Sequence, residues 1–255
     1  MTRKIPWIGT SWKMNKLRAE ARGFAEALRQ SPVAGAGGCR PFVIPPFPAI
    51  ADVAEILHGT NVLVGAQNMH WADQGAWTGE VSPLMIKDCG AALVEIGHSE
   101  RRTHFAETDA TVALKVGAAL RHGLLALVCV GDSQEDYEAG KTRQVLERQV
   151  RAFLEPHAAL APGRVIIAYE PVWSIGEGGC PASPDFANDQ HGHLGRLVAS
   201  LTGSSLPIIY GGSVNLDNCV DLATQDNIDG LFIGRAAWQV SGFLAIANAV
   251  VAALQ

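Results

Sequence analysis

Eight short runs of aliphatic and β-branched residues recur along the chain, at 5–9, 42–44, 62–64, 92–96, 125–130, 165–168, 207–210 and 230–233. They are apolar along their length rather than at every second position, which suits strands covered on both faces, and helical crossovers between such strands make them parallel. Segments with Ala, Leu, Glu and Arg at helical spacing follow most of them, as at 17–30, 111–122, 134–154 and 236–254. Eight βα units in 255 residues predict a closed (β/α)8 barrel of the α/β class. No linker-like stretch divides the chain, so residues 1–255 are expected to form a single domain. An open doubly wound sheet is the alternative, weakened by the lack of a GxGxxG after the first run.

Composition limits what such a barrel binds. The chain is 48% hydrophobic and carries a net charge of −5, with no Lys/Arg cluster beyond pairs such as Arg101-Arg102, so nucleic acid is not an expected partner. No apolar run approaches the roughly 20 residues that cross a bilayer, and residues 1–7 lack the apolar stretch of a signal peptide; a cytoplasmic protein with no membrane partner is expected. Five cysteines without a CxxC pair argue against a disulfide framework or a zinc site, and Cys129 is taken as a buried small residue rather than a nucleophile. His191 and His193 form an HxH in a presumed outer helix, taken as a solvated face rather than a metal site. No metal or cofactor is expected.

In a barrel of this kind functional groups lie where strands end and βα loops begin. Gly211-Gly212-Ser213 after the seventh run and Gly234-Arg235 after the eighth each precede a helical stretch, the first near Asn215, and offer backbone N–H groups to an anion. Two such adjacent loops favour a phosphate. Glu170 ends the sixth run and is fixed by Pro171, as suits a general base; alone it would be taken for a salt-bridging glutamate. His98 follows the fourth run at the start of a helical turn, whose positive end favours a neutral imidazole that donates a hydrogen bond. Lys13 supplies a cation, its stem expected to be held by Trp12 and Met14. Base, donor and cation beside a phosphate define proton abstraction next to a carbonyl, through an enediolate. Residues 172–181, with their glycines and Trp173, are the expected closing lid that keeps water from that intermediate.

The motifs WKMN, GAQN, EIGHSERR, AYEPVW, YGGSV and DGLFIG, in this order over nearly the whole length, resemble the triosephosphate isomerase family. The resemblance implies Glu170 as the proton-shuttling base, His98 as the electrophile and Lys13 as an electrostatic group on the substrate. It implies phosphate binding by Gly176, Ser213, Gly234 and Arg235, and Glu100 as a supporting carboxylate near Lys13. Members are homodimers or higher oligomers, so a homodimer or homotetramer is expected, with the long Trp-bearing loop 67–80 of one copy placing Thr78 near Lys13 of another.

The chain departs from the family pattern in four places. Ser11 stands where an Asn is usual before Trp-Lys. The lid continues Ser174-Ile175-Gly176-Glu177-Gly178-Gly179, Gly131-Asp132 replaces Gly-Glu after the fifth run, and Arg235 replaces a Gly. A hydroxymethyl side chain at position 11 leaves space for one more CH2OH on the substrate. With the Trp-rich loop, GTSWKMNK resembles the branch of the family that converts L-erythrulose-1-phosphate to D-erythrulose-4-phosphate in polyol catabolism. That phosphorylated four-carbon sugar is the expected substrate, the three-carbon triose phosphates being the alternative. A barrel that binds phosphate without catalysis, or a metal-dependent phosphosugar epimerase, is a more distant reading.

Overall fold

A computed structural model describes residues 5–35, 37–175, 179 and 181–255. Its strands are β1 (Trp7–Ser11), β2 (Arg40–Ile44), β3 (Leu63–Ala66), β4 (Leu93–Ile96), β5 (Leu125–Val130), β6 (Val165–Tyr169), β7 (Ile208–Tyr210) and β8 (Gly230–Ile233). They close into a parallel barrel in chain order, with β8 beside β1. The helices outside it, among the described residues, are α1 (Arg18–Arg29), α2 (Ile50–Leu57), α3 (Pro83–Asp88), α4 (Ser99–His104), α5 (Asp109–Arg121), α6 (Gln134–Glu138), α7 (Thr142–Leu154), α8 (Pro184–Thr202), α9 (Cys219–Ala223) and α10 (Val240–Ala253).

The eight expected runs are the eight strands, with shifted ends where the ladder decides. β1 starts at Trp7 rather than Ile5 because Pro6 has no N–H to donate; Trp7 N–H is the first to pair, with the Asp229 carbonyl at 3.0 Å. The helix expected over 134–154 is two helices. Gly140 adopts φ +67° and ends the first, and the second begins at Thr142. In α8, His191 is only 1% exposed, with its Nδ1 3.2 Å from the Ile208 carbonyl and its ring against Tyr169 and Tyr210, so the solvated face expected for it is corrected to a core contact. Residues two apart on a helix point about 200° around its axis from each other, which is why this HxH does not converge.

Successive side chains on each strand point alternately out to the helices and into the barrel. Phe42, Ile44, Leu93, Leu127, Cys129, Ile166, Ala168, Ile209 and Phe232 form the inner cluster, while Ile8, Val43, Val94, Ile96, Val128 and Ile167 belong to the outer core. Phe42 fills the lumen against Phe232, ring centroids 5.7 Å apart, and a Cβ on Gly9 would lie 2.1 Å from its ring, so β1 must carry a glycine there. Two residues beyond Leu93 on the same inward face stands Glu95, 3% exposed.

A buried ionic cluster fixes the loop after β4 to the loop after β3. Lys115 of α5 donates to Glu107 at 2.9 Å and to Asn68 at 2.7 Å. The other oxygen of Glu107 accepts the Gly97 N–H at 3.1 Å, and Arg101 adds an ion pair at 2.8 Å. The residue before His98 is thereby tied to α5 and to the 67–80 loop. Removing one partner of a buried pair leaves an uncompensated charge. Lys115→Met is therefore expected to destabilise the fold by about 3–5 kcal/mol, read by urea denaturation; a change below about 1 kcal/mol would mean the cluster is solvated in practice.

Candidate functional site

The ends of β1, β4 and β6 bring three of the expected residues together. Beyond β1, Trp12 is fully buried against Phe24, ring centroids 4.8 Å apart, and Lys13 takes φ +52°, a conformation a lysine adopts at a cost of about 1–3 kcal/mol. Gln67 of the loop after β3 donates to the Lys13 carbonyl at 2.8 Å and holds that turn. Met14 is 96% exposed, so of the two neighbours Trp12 alone is buried, contrary to the expectation that both hold the lysine. Lys13 Nζ meets Glu100 Oε1 at 2.7 Å. Burial works to lower the Lys13 pKa but is outweighed by Glu100, Glu170 and Glu95, which hold it above its ordinary value. Glu100, which burial would raise, is held below the usual carboxylate value by Lys13.

His98 caps the N-terminus of α4 with its side chain, Nδ1 accepting the Glu100 N–H at 3.1 Å. That bond places the neutral ring's proton on Nε2, which faces Glu170 Oε2 at 3.7 Å. The gap is too wide for a direct hydrogen bond and leaves room for a bridging group. Glu170 continues β6, its N–H donating to the Val130 carbonyl at 2.8 Å, and the residue is 2% exposed with Oε2 making no hydrogen bond among the described residues. A Cβ on Gly211 would lie 2.8 Å from Glu170 Cγ, so the glycine after β7 is what admits the glutamate.

Lys13, His98 and Glu170 line a cavity of about 460 Å³, together with Ser11, Glu100, Ser213, Gly234 and Arg235, the last of these exposed. The helix expected near Asn215 begins instead at Cys219. Asn215 and Asn218 first close a turn through mutual side-chain bonds, and Asn218 Nδ2 also donates to the Ser213 carbonyl at 2.9 Å. Gly176 lies outside the described residues, as does part of the expected lid. The start of that lid is anchored by Asp132, which accepts from Thr142 at 2.6 Å, Tyr169 at 3.1 Å and the Trp173 indole at 3.3 Å. The shorter carboxylate after β5 thus still holds the Trp. Thr78 is exposed on its loop and lines neither this cavity nor its neighbour.

Glu95 was missed by the sequence reading. The signal was an acid inside the apolar run 92–96, three residues before His98. It lines a second cavity of about 200 Å³ that shares Ser11, Lys13, His98 and Glu100 with the first. Burial pushes its pKa up to about 7, Glu170 adding to the shift while His98, a hydrogen bond from Ser11 and Lys13 oppose it. Cys129, also in the lumen, has its thiol pushed up by burial, Glu170 and Glu95, which makes it a poor thiolate. Glu95, His98 and Glu170 each bring one donor atom within 4.8 Å of the others, a set that a divalent cation could use. The Lys13 ammonium, which already acts on both carboxylates, supplies positive charge at that point.

The folded protein binds the Glu95 proton more tightly than the unfolded chain does. Its contribution to stability is therefore complete below about pH 4.5 and is lost as pH rises toward 7, by about 3 kcal/mol. The stability of wild type relative to Glu95→Gln should fall by that amount between pH 4.5 and 8 in urea titrations. A pH-independent difference would show that Glu95 titrates normally.

Known proteins with related sequences fit this geometry. The family model described as triosephosphate isomerase matches residues 6–250. A protein of Brucella abortus biovar 1 (strain 9-941) named L-erythrulose-1-phosphate isomerase is 56% identical, over 94% of each chain. One of the same name from Rhizobium meliloti (strain 1021) is 52% identical over the full length of both. The crystal structure of triosephosphate isomerase from Bartonella henselae superposes with a TM-score of 0.85 at 34% identity, covering 96% of this chain and 98% of that one. With a closed eight-stranded barrel, a matching family model and relatives above half identity, the chain belongs to the triosephosphate isomerase family.

Proposed function

We propose that this protein is a sugar-phosphate isomerase that converts L-erythrulose-1-phosphate to D-erythrulose-4-phosphate through an enediolate. The observation that carries it is the 3.7 Å opening between His98 Nε2 and Glu170 Oε2, in a cavity that Lys13, Ser213, Gly234 and Arg235 also line. Phosphate at Ser213 and Gly234, met by backbone N–H groups and the Arg235 cation, holds the reacting carbons in that opening. Glu170 takes a proton from the carbon next to the carbonyl and returns it to the former carbonyl carbon. His98 donates from Nε2 to the substrate oxygens as negative charge develops there, and Lys13, paired with Glu100, stabilises the same charge. Ile175, at the start of the expected lid, borders the cavity, where cover of the opening would exclude water from the intermediate.

The four-carbon substrate rests on the names of the relatives and on Ser11, which borders both cavities. The same reading makes the enzyme a cytoplasmic participant in polyol breakdown, its charged substrate retained by the membrane. It also makes it a dimer or larger homo-oligomer. Met14, Phe47 and Phe105 stand exposed around the second cavity, and the 67–80 loop is pre-shaped by His70, which stacks on Trp71 at 4.1 Å and meets Trp77 at a tilt at 4.5 Å. Inserted into a second copy, that loop would bring Thr78 to the neighbour's Lys13 and cover these side chains.

The test is kcat/KM on L-erythrulose-1-phosphate and on glyceraldehyde-3-phosphate, with enzyme freed of divalent cations by a chelator. The tetrulose phosphate should be favoured by at least about tenfold, the scale at which one extra group in a fitted pocket is distinguished. Preference for the triose would assign the alternative substrate. Turnover that vanishes on chelation and returns with an added divalent cation would make Glu95, His98 and Glu170 a metal centre.

A further inference from the structure

The middle of the barrel interior, below Glu95, is apolar. There Leu93 meets Phe42, Ile44, Leu127 and Ile166 in a closed aliphatic and aromatic cluster, and nothing in that cluster calls for a carboxylate on the next inward position of β4. No salt bridge forms to Glu95 among the described residues, and its Oε2 is buried with no hydrogen-bond partner there. An unpaired buried acceptor of this kind costs stability unless something occupies it, and sites that receive a ligand group are where such acceptors persist.

Its position says which group. On the proposed reading the phosphate would lie at Ser213, Gly234 and Arg235 and the reacting carbons at His98 and Glu170, all of which line the large cavity. Glu95 brings a carboxylate oxygen within 4.8 Å of donor atoms of His98 and Glu170, and it lines, with Ser11, a second cavity that shares Ser11, Lys13, His98 and Glu100 with the first. A substrate carbon beyond the reacting pair would extend in that direction. In L-erythrulose-1-phosphate that carbon is C4, which bears a primary hydroxyl.

We infer that Glu95, with Ser11 beside it, is the specificity-determining contact of this enzyme, its Oε2 accepting the hydrogen bond of the substrate's terminal hydroxyl. The inference rests on the tetrulose-phosphate reading and deepens it. Ser11 supplies the space and a short hydroxyl side chain, while Glu95 supplies the acceptor. A longer carboxamide at position 11 would fill the approach to Glu95, so the two positions act as a pair.

The experiment is a cycle between one side chain and one substrate hydroxyl. Turnover of L-erythrulose-1-phosphate is compared with that of its 4-deoxy analogue, in wild type, Glu95→Gln and Glu95→Val. Above about pH 8, where Glu95 is mostly ionised, wild type should prefer the hydroxylated substrate in kcat/KM by about 10- to 100-fold, the range for a hydrogen bond to a charged group. In Glu95→Val the preference should collapse to within about twofold, and Glu95→Gln, which keeps an acceptor oxygen, should retain part of it. A merely structural Glu95 would lower turnover of both compounds alike and leave their ratio unchanged, which would overturn the inference. A wild type indifferent to the 4-hydroxyl would overturn it without any variant having to fold. A wild type that does not turn over L-erythrulose-1-phosphate at all would remove the substrate reading together with the inference, whereas efficient turnover with an unchanged ratio in Glu95→Val would remove the inference alone.

Discussion

A β-strand turns each successive side chain to the opposite side, and closure of eight such strands makes that parity binding on every position of the barrel. Leu93 inward requires Glu95 inward, and Ile166 and Ala168 inward require Glu170 inward. Ser11 follows Trp7 and Gly9 on the inner face of β1 by the same rule, and Gly9 must be a glycine because Phe42 already occupies its space. Glu95, Ser11 and Glu170 therefore all face the lumen without any loop having to place them. A one-residue slip in β4 or β6 would exchange the carboxylates for Val94, Ile96 or Tyr169.

Charge is arranged around these residues in a chain of pairs. Lys13 is joined to Glu100, whose backbone N–H fixes the His98 tautomer, and His98 in turn faces Glu170. The strained backbone at Lys13 and the Oε2 atoms of Glu95 and Glu170, which make no hydrogen bond among the described residues, are costs concentrated at the same place. Behind them the Glu107–Lys115 pair holds Gly97, one residue before His98. Stability is thus invested beside the site to keep an opening of a few ångströms in register.

Much of this was legible in the sequence because it depends on local pattern. The apolar runs marked all eight strands, and a Glu followed at once by Pro, a His two residues past a strand and a Lys just after the first strand marked three side chains that do converge. Glu95 was not legible, since a lone acid in LVEI gives no hint whether it faces the lumen or a helix until the parity of Leu93 is known. Met14 and His191 were misjudged for a related reason. The first sits where the chain leaves the barrel, and the second is covered by Tyr169 and Tyr210 from neighbouring strands, contacts that only the closed barrel creates. The break at Gly140 shows the same limit, because helical spacing continued through a residue that adopts a left-handed turn.

Everything proposed for the site depends on Glu170 moving a proton rather than the substrate moving a hydride. Running the isomerisation of L-erythrulose-1-phosphate in D2O and recording the proton spectrum of the product decides between them. A carboxylate that picks up a proton and exchanges it with solvent puts deuterium on the carbon that was the carbonyl. Product formed at full rate with its original hydrogen retained there and no deuterium incorporated would contradict an enediolate held between His98 and Glu170.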